Sequence, residues 1–285
     1  MKSIKRVFLT QDLIIELRED YIKPVTEEEC LVKAESVLLT PLDILASKGR
    51  VESLGYGTLA CGIVIEPQAS FLNGRVYVSP RSPKMLPPVN QEGVGSSVFC
   101  FRRDCLQTPP SWVRYAELAY VYHVIQDTYY ESAGRTLLVN TGGMQGILTT
   151  HLLRNTCYVY GVKSRKTSLN ARAVSREALS RVSWDTVILS TINQGLAREV
   201  LREIMLENTH PRIIVNPFTA AVLELNVVQA VHGECKLVVP PETSCLERDV
   251  VSALESLVEK KSLIYRVRQD ETPVRMYKEY VAIVF

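Results

Sequence analysis

The sequence predicts an α/β fold in which a helix-covered parallel sheet is joined to a separate β-rich domain. Strand and helix signals alternate through the middle of the chain, whereas short runs rich in Val, Ile, Leu and Tyr fill roughly its first 110 residues. The tail returns to β character. With 285 residues, of which 46% are hydrophobic, the chain can form two cores of ordinary size. We therefore expect two domains.

The N-terminal part has the pattern of short β-strands separated by turns. The strand-like runs are SIKRVFLT, CLVKAESVLL, LACGIVIE and GRVYVSP. The stretch RSPKMLPPVNQEGVG, rich in proline and glycine, predicts a loop. Because the tail SLIYRVRQDETPVRMYKEYVAIVF is again strand-like, we expect its last ~20 residues to rejoin the N-terminal domain.

From Ser111 onward the pattern changes to alternating helices and strands. A long apolar helix is expected from Ser111, which follows a Pro pair and can serve as the N-cap, to Gly134. Strands are expected at RTLLVN, TCYVYGV, DTVILS, RIIVNP and CKLVV, and helices near Gly146, Thr167 and Gln194 and over LERDVVSALESLVEKK. These strands are apolar on both faces, which is typical of a parallel sheet covered by helices.

Charge and composition exclude several classes of function. Lys plus Arg number 33 against 31 for Asp plus Glu, and both signs are scattered along the chain, so neither nucleic acid nor a membrane is an expected partner. Acidic residues interrupt the N-terminus before a signal-peptide core can form, and no run approaches the ~18 apolar residues of a membrane span. We therefore expect a soluble, cytoplasmic protein.

The cysteines and histidines show no metal-binding or disulfide pattern. Seven cysteines are an odd number without a CxxC pair, so neither a secreted disulfide framework nor a zinc ribbon fits. Cys100 and Cys105, the closest pair, are interpreted as separate thiols, with a disulfide as the alternative. Packed or capping roles are expected for all four histidines, His123, His151, His210 and His232.

A glycine-rich turn lies between the strand LLVN and the helix after it. A dinucleotide-binding turn needs glycines for a tight bend, for close approach of the pyrophosphate, and for packing the helix on the strand. Gly143 matches the second role and Gly146 the third, whereas Thr141 occupies the first and Gly142 can absorb the bend. The candidate cofactor contacts are Thr141, Gly142, Gly143, Met144, Gln145 and Gly146, at a helix N-terminus that can receive a phosphate. The alternative is a structural turn that has kept its packing glycines.

The loop after the second strand of the alternating region is basic. Lys163, Ser164, Arg165 and Lys166 follow CYVYGV, where an acidic residue would bind the ribose 2′-hydroxyl of NAD. Cations and a hydroxyl favour a 2′-phosphate, so the predicted cofactor is NADP(H). The alternative is a solvated basic loop.

Two further stretches directly follow strands of the expected parallel sheet. Ser190 and Thr191 come after DTVIL, and Asn216 and Pro217 come after RIIV. Ligands of open α/β sheets bind at the carboxyl ends of the strands, so we predict cofactor contacts at these four residues. The alternative is that both stretches are ordinary loops.

Six segments occur in a recognisable order: VLLTPLDILASKGR, LGYGTLACGIVIE, GRVYVSP, GRTLLVNTGGMQG, YVYGVKSRKTSLNARAV and WDTVILST. In this order they resemble the medium-chain dehydrogenase/reductase superfamily, the zinc alcohol dehydrogenases and quinone reductases, from about Val37 to Ser262. The resemblance implies a Rossmann-type parallel sheet domain and a β-rich, partly barrel-like (GroES-like) domain split around it. The implied boundaries are 1–113 with 263–285 for the β-rich substrate domain and 114–262 for the dinucleotide-binding domain.

The chain departs from zinc-dependent members of that superfamily at the metal site. Where those members carry a cysteine and a Gly-His-Glu triplet, this chain has Thr40 and Gly55-Tyr56-Gly57, and the four-cysteine structural lobe is absent. A catalytic zinc needs about three thiolate, imidazole or carboxylate ligands, so no zinc is expected. The segment TPLD is instead close to the Asn-Pro-x-Asp of zinc-independent quinone reductases.

The resemblance to those reductases implies hydride transfer between NADP(H) and a small carbonyl, enone or quinone. Tyr56 is then the candidate proton donor or hydrogen-bond donor to the carbonyl, with Thr40 beside it. The alternative for Tyr56 is a half-buried aromatic residue in a β-turn. A homodimer is also implied, with CKLVV as the candidate edge strand.

A second hypothesis keeps the same fold without catalysis. Thr141 in place of the first glycine, the missing zinc ligands and a shortened β domain are consistent with a catalytically silent relative. Such a protein would act as a binding or structural partner in a complex, or as a nucleotide sensor.

Overall fold

The computed structural model describes most of the chain. The described ranges are 3–66, 74–80, 86–89, 92–140, 143–154, 157–161, 171–206, 211–223, 235–237 and 245–285.

The chain divides into two compact units. The first comprises Met1–Tyr122 and Glu242–Phe285, and the second comprises His123–Pro241. The sequence-based boundaries lie instead at 113/114 and 262/263, and the assignment of the units to substrate and cofactor stays a prediction.

The first unit consists mainly of β-strands, and its described residues also form three α-helices. Its strands are β1 Ser3–Leu9, β2 Ile14–Tyr21, β3 Glu29–Leu39, β4 Leu59–Glu66, β5 Arg75–Val78, β6 Val98–Arg102, β7 Leu106–Gln107, β14 Tyr265–Arg268, β15 Val274–Arg275 and β16 Val281–Val284. Its helices are α1 Pro41–Ser47, α2 Ala119–Glu131, which continues into the second unit, and α7 Arg248–Lys260.

The C-terminal strands pair with the N-terminal ones. A three-stranded sheet has the order β1-β2-β15, and a seven-stranded sheet has the order β14-β16-β3-β4-β5-β7 with β6 also paired to β3. Strand β16 is antiparallel to β3, and β15 is antiparallel to β2. Strands of both sheets contribute to one apolar core, which includes Val7, Ile15, Leu39, Val281 and Ile283. The tail thus returns to the N-terminal sheets, as its composition predicts.

The second unit contains one six-stranded parallel sheet with helices between its strands. The strands are β8 Thr136–Val139, β9 Cys157–Tyr160, β10 Arg172–Ala173, β11 Thr186–Leu189, β12 Arg212–Val215 and β13 Cys235–Leu237. The helices are α3 Met144–Leu153, α4 Arg176–Arg181, α5 Gln194–Leu206 and α6 Pro217–Val222.

The strand order of this sheet is β10-β9-β8-β11-β12-β13, with every neighbouring pair parallel. In chain order within the sheet this is 3-2-1-4-5-6, the doubly wound arrangement in which the winding reverses between the first and fourth strands. The fully buried strand residues, such as Leu137 and Val187, pack against α5 through Val200 and Ile204. The predicted fold class, a Rossmann-type parallel sheet with a separate β-rich part, is confirmed.

Two helices begin later than the sequence pattern predicts. Helix α2 begins at Ala119, preceded by a 3-10 turn, rather than at Ser111. The carboxylate of buried Glu255 in α7 accepts the backbone N–H groups of Arg114 (2.9 Å) and Tyr115 (3.2 Å). In a helix capped at Ser111 the Tyr115 N–H would instead donate to the Ser111 carbonyl. Helix α4 begins at Arg176, after β10. The start predicted for this helix, near Thr167, lies outside the described residues.

The described residues also test two simpler expectations. Cys100 and Cys105 are not joined by a disulfide, which confirms their interpretation as separate thiols. No described helix is both long and apolar enough to cross a membrane.

Candidate functional site

The carboxyl ends of three strands in the second unit lie in register. Leu189 at the end of β11 pairs with Val139 of β8 on one side and with Val215 of β12 on the other. The residues that follow are therefore neighbours at one edge of the sheet, and all are polar and buried: Asn140, Ser190, Thr191 and Asn216. This edge contains the point where the winding of the sheet reverses.

Asn140 connects the strands at that point. Its side-chain Nδ2 donates to the carbonyl of Ser190 at 2.5 Å, and its backbone N–H donates to the carbonyl of Tyr160 at 3.1 Å. The Asn140 side chain also explains why residue 146 is a glycine, because a Cβ at that position would overlap the Asn140 side-chain oxygen. Gly146 thus packs α3 closely on the strand, the third glycine role expected from the sequence.

Helix α3 begins at Met144, two residues before Gly146, near which the sequence predicts its start. Gly143 is its N-cap, so no side chain caps the helix, and its first turn contains no acidic residue. Met144 and Gln145 are buried, and the Gln145 side-chain oxygen accepts a hydrogen bond from the Asn216 side chain at 2.7 Å. The first-turn amides of α3 are therefore left without a side-chain cap at this edge of the sheet.

Asn216 also begins α6. Its side-chain oxygen accepts the N–H of Phe218 at 2.9 Å, and Pro217 occupies the first helical position, where a missing N–H costs nothing. The side chain of Asn216 therefore bonds both to its own helix and to Gln145 in α3. Asn216, predicted at this strand end, is thus in contact with Gln145 of the predicted glycine turn.

Ser190 and Thr191 differ in how their side chains are satisfied. The Thr191 hydroxyl accepts the N–H of Asn193 at 3.1 Å, and the Thr191 N–H donates to the Thr219 hydroxyl at 2.8 Å. Residue Ser190 is 6% exposed. Its buried hydroxyl has no hydrogen-bond partner in the part of the chain that the structure describes. A buried hydroxyl without a partner costs free energy, and a ligand at this edge would remove that cost.

The remaining predicted cofactor contacts cannot be placed in this geometry. Thr141 and Gly142, and the basic stretch Lys163, Ser164, Arg165 and Lys166, lie outside the described residues.

In the first unit, Thr40 is buried and caps α1. Its hydroxyl accepts the N–H of Leu42 at 3.2 Å and lies 2.7 Å from the Thr58 hydroxyl, while its N–H donates to Asp43 at 2.7 Å. Thr40 and Asp43 together form a capping box. Capping of α1 alone explains why a threonine stands at position 40. A catalytic role for Thr40 stays a prediction.

Tyr56 is half-buried in a turn held on both sides by backbone hydrogen bonds. Its carbonyl accepts the N–H of Gly95 at 2.7 Å, and its ring meets Phe8 edge-on at 5.6 Å. The Tyr56 hydroxyl makes no hydrogen bond to the residues described. Burial first, and then the charge of Asp43, raises the pKa of this phenol, whereas Arg18 lowers it. The structure thus gives Tyr56 a hydroxyl that is held in its neutral, donating form.

No metal centre is formed by the described residues, among which no three or more His, Cys, Asp or Glu side chains cluster. The oxygen atoms of the Thr40, Asp43 and Thr58 side chains instead form hydrogen bonds with one another.

Solved structures share this architecture over its full length. No family model matches the sequence, and no curated protein matches it either. A zinc-binding dehydrogenase from Sinorhizobium meliloti 1021 bound to NADP is 15% identical with a TM-score of 0.63, and 100% of each chain is covered. A short-chain alcohol dehydrogenase from E. coli CFT073 with NADH is 14% identical with a TM-score of 0.63, again with 100% of each chain covered. The quinone oxidoreductase from Coxiella burnetii is 14% identical with a TM-score of 0.59 over 100% of both chains.

This chain shares its fold with these two dehydrogenases and this quinone oxidoreductase. The resemblance to the medium-chain dehydrogenase/reductase superfamily is thereby confirmed as a likeness of fold. Within this fold, the roles of individual residues rest on the geometry described above.

Three residues were not singled out from the sequence: Asn140 at the strand-end edge of the second unit, and Asp43 and Thr58 beside Thr40 in the first. Asn140 follows β8 just as Ser190 and Asn216 follow their strands, so the same strand-end rule could have found it. Asp43 stands three residues after Thr40, the spacing of a capping box. Thr58 had no local signal, because its partners come from another part of the chain.

Proposed function

We propose that the protein is a zinc-independent, NADP(H)-dependent oxidoreductase that transfers hydride to or from a small carbonyl, enone or quinone. The observation that carries this proposal is the Ser190 hydroxyl, which has no partner among the described residues, at the edge where the uncapped N-terminus of α3 also lies. A dinucleotide fits such an edge, since backbone N–H groups at a helix N-terminus bind phosphate and polar strand-end groups bind the rest of the ligand.

Support for a nicotinamide cofactor comes from the solved structures of the same fold, two of which contain NADP and NADH. The residues proposed to hold it are those of the glycine turn from Thr141 to Gly146 together with Ser190, Thr191, Asn216 and Pro217. The basic stretch Lys163–Lys166 favours NADP(H) over NAD(H), because cations bind the additional 2′-phosphate.

When bound, the cofactor would supply the hydride. The protein's own contribution would then be to orient the substrate and to exclude water. Tyr56 would donate a hydrogen bond or a proton to the carbonyl oxygen, for which a neutral phenol is required. Zinc independence is proposed because Thr40 and Tyr56 occupy positions where zinc-dependent relatives carry ligands.

The first experiment is titration with NADPH and NADH, followed by nucleotide fluorescence and by the melting temperature. We expect micromolar binding of NADPH and much weaker binding of NADH, about tenfold or more. Gly143→Leu, which places a bulky side chain at the N-cap of α3, should abolish binding. The backbone φ of Gly143 is −71°, so the substitution introduces no backbone strain.

A matched control is Gly195→Leu in the first turn of α5, where an added Cβ would lie 3.4 Å from the Asn193 side-chain oxygen, an ordinary contact. Its nucleotide affinity should remain that of the wild type. Full NADPH binding by a folded Gly143→Leu variant would contradict the proposed binding of the cofactor at the N-terminus of α3.

A second candidate function is a catalytically silent binding partner or nucleotide sensor. It is favoured by the way Gln145 and Asn216 bond to each other, since their side chains are already satisfied at the strand ends. Lack of binding of either nucleotide would support this candidate and contradict the first.

A homodimer is proposed as well. Strand β13 lies at the edge of the described parallel sheet, the position expected for CKLVV, and an edge strand offers backbone groups to a second copy.

A further inference from the structure

A buried carboxylate connects α1 to the turn that carries Tyr56. One oxygen of Asp43 accepts the N–H of Gly57 at 2.7 Å. The other accepts the N–H of Thr40 at 2.7 Å and the hydroxyl of Thr58 at 2.7 Å. Asp43 is fully buried, so these bonds replace all of its contacts with water. Because Gly57 and Thr58 directly follow Tyr56, the carboxylate fixes the backbone on the C-terminal side of the tyrosine.

The two threonine hydroxyls form a directed chain that ends at this carboxylate. Each hydroxyl has a single proton, and that of Thr58 is donated to Asp43. The 2.7 Å contact between the hydroxyls must therefore be donated by Thr40. The Thr40 oxygen in turn accepts the N–H of Leu42. The buried negative charge is thus stabilised by neutral donors on two separate segments.

A second segment holds the same turn through its carbonyl groups. The N–H of Gly95 donates to the Tyr56 carbonyl at 2.7 Å, and the N–H of Val94 donates to the Gly57 carbonyl at 3.0 Å. Gly57 has a φ of +89°, a conformation that other residues adopt only with strain. The turn therefore has one conformation that depends on Asp43 on one side and on residues 94–95 on the other.

The charge of Asp43 also acts on the phenol. The pKa of Tyr56 is raised by burial and by Asp43, and it is lowered by Arg18, whose guanidinium lies over the Phe8 ring at 3.6 Å. Asp43 and Arg18 are the charged groups with a resolved effect on this tyrosine.

We propose that Asp43 is a positioning residue for Tyr56: it holds the 56–58 turn in one conformation through its bonds to the Gly57 N–H and the Thr58 hydroxyl. Asp43 does not reach the reacting atoms, since its oxygens are bonded within the protein. The catalytic meaning of the inference rests on the proposed function, in which Tyr56 donates to the carbonyl.

The test follows the Tyr56 ring by NMR in protein labelled with ¹³C-tyrosine, with the signal assigned by Tyr56→Phe. In the wild type, protonation of Asp43 should produce a step in the Tyr56 signal near pH 6, because burial raises the pKa of Asp43 to about 6. In Asp43→Asn the step should be absent and the phenol should titrate at lower pH. The Gly57 amide should exchange with solvent about tenfold faster. Asp12→Asn, an exposed carboxylate of the same unit, should leave all three readouts unchanged.

Thr58→Val tests the same role if Asp43→Asn does not fold, since it removes only one of the bonds to the carboxylate. It should speed exchange at Gly57, and Thr58→Ser should restore protection by restoring the hydroxyl. Once a substrate is identified, steady-state kinetics provide a further readout. Both Asp43→Asn and Thr58→Val should lower kcat by about 10-fold or more while the KM for NADPH stays unchanged.

A wild-type Tyr56 signal without a step near pH 6, together with unchanged Gly57 exchange in the variants, would overturn the inference. These readouts need neither cofactor nor turnover. If the step and the faster exchange are found but no nucleotide binds, the proposed function fails and the positioning of Tyr56 by Asp43 is upheld.

Discussion

Single buried polar residues set the local geometry of both units. Asn140 joins β8 to β11 through its side chain, and Asp43 joins the start of α1 to the turn after Tyr56. In each case a polar group enters a region without water and is compensated by hydrogen bonds to other parts of the chain. Removal of either group leaves donors or acceptors unsatisfied, so each substitution has a measurable cost.

Gly146 and Asn140 should be coupled in stability. Gly146→Ala places a methyl group on the Asn140 side chain, which cannot move without losing its bond to Ser190, so we expect a loss of about 1–3 kcal/mol. Asn140→Ala should also cost about 1–3 kcal/mol. In the double variant the methyl group has room, and the total loss should be smaller than the sum by about 1 kcal/mol. Urea unfolding of the four proteins measures this; strict additivity would contradict the contact.

Asp43 should make stability depend on pH in a defined direction. Its pKa is raised by burial from 3.8 to about 6 in the folded protein, so between these values the folded state binds more protons than the unfolded state. The contribution of Asp43 is therefore fully present below pH 3.8 and is lost as the pH rises through about 6.

Unfolding free energies of the wild type and Asp43→Asn between pH 4 and 8 would show this. The wild-type value should fall relative to that of the variant by about 3 kcal/mol up to pH 6 and remain level above it. A difference that is constant with pH, or that rises, would contradict the assignment.

At the level of elements, the ends of helices are decided by partners distant in sequence. Helix α2 starts at Ala119 and not at Ser111, and Glu255 in α7 accepts the Tyr115 amide that the first bond of a helix capped at Ser111 would use. The start of α6 is instead set locally, since Asn216 caps the helix that follows it. Propensity and capping rules succeed in the second case and fail in the first, where a tertiary hydrogen bond competes with the helix.

Glu255→Ala should destabilise the first unit strongly. It leaves two part-buried backbone N–H groups without this acceptor, at a cost of about 1–3 kcal/mol. The control is Glu259→Ala, one helical turn on, which removes an exposed partner of the Arg114 side chain and should cost less than about 1 kcal/mol. Chemical denaturation of both variants distinguishes the two roles, and equal losses would exclude the capping role of Glu255.

At the level of the whole molecule, each unit has its own apolar core and its own sheet system. The doubly wound parallel sheet collects its polar strand-end residues at one edge, and the β-rich unit holds Tyr56 in a turn with two supports. The open edge at β13 is the feature that concerns assembly, because its outer backbone groups have no partner strand within the described sheet.

We expect a dimer in solution that uses this edge. Analytical ultracentrifugation should give twice the mass of the 32.1 kDa chain. Hydrogen exchange at residues 235–237 should slow as the protein concentration passes through the dissociation constant. A monomer at all concentrations, or an exchange rate that does not depend on concentration, would contradict this assembly.

The sequence predicted the positions of the parallel strands and the start of α3 because these depend on local patterns: runs of apolar residues end at glycine or asparagine. The strand-end rule likewise identified Ser190, Thr191 and Asn216 as neighbours. It could not reveal that Gln145 bonds to Asn216, or that the Ser190 hydroxyl has no partner among the residues that the structure describes. Both depend on which residues meet across the sheet.

By itself, the sequence determined the fold class, the alternation of strands and helices, and the place of the glycine turn, because backbone propensity and hydrophobic period act over a few residues. Only the tertiary structure decided the start of α2, the buried environment of Asp43 and the support of Tyr56. Those features are hydrogen bonds between segments 14 to 141 residues apart, and such bonds form only after the chain has folded.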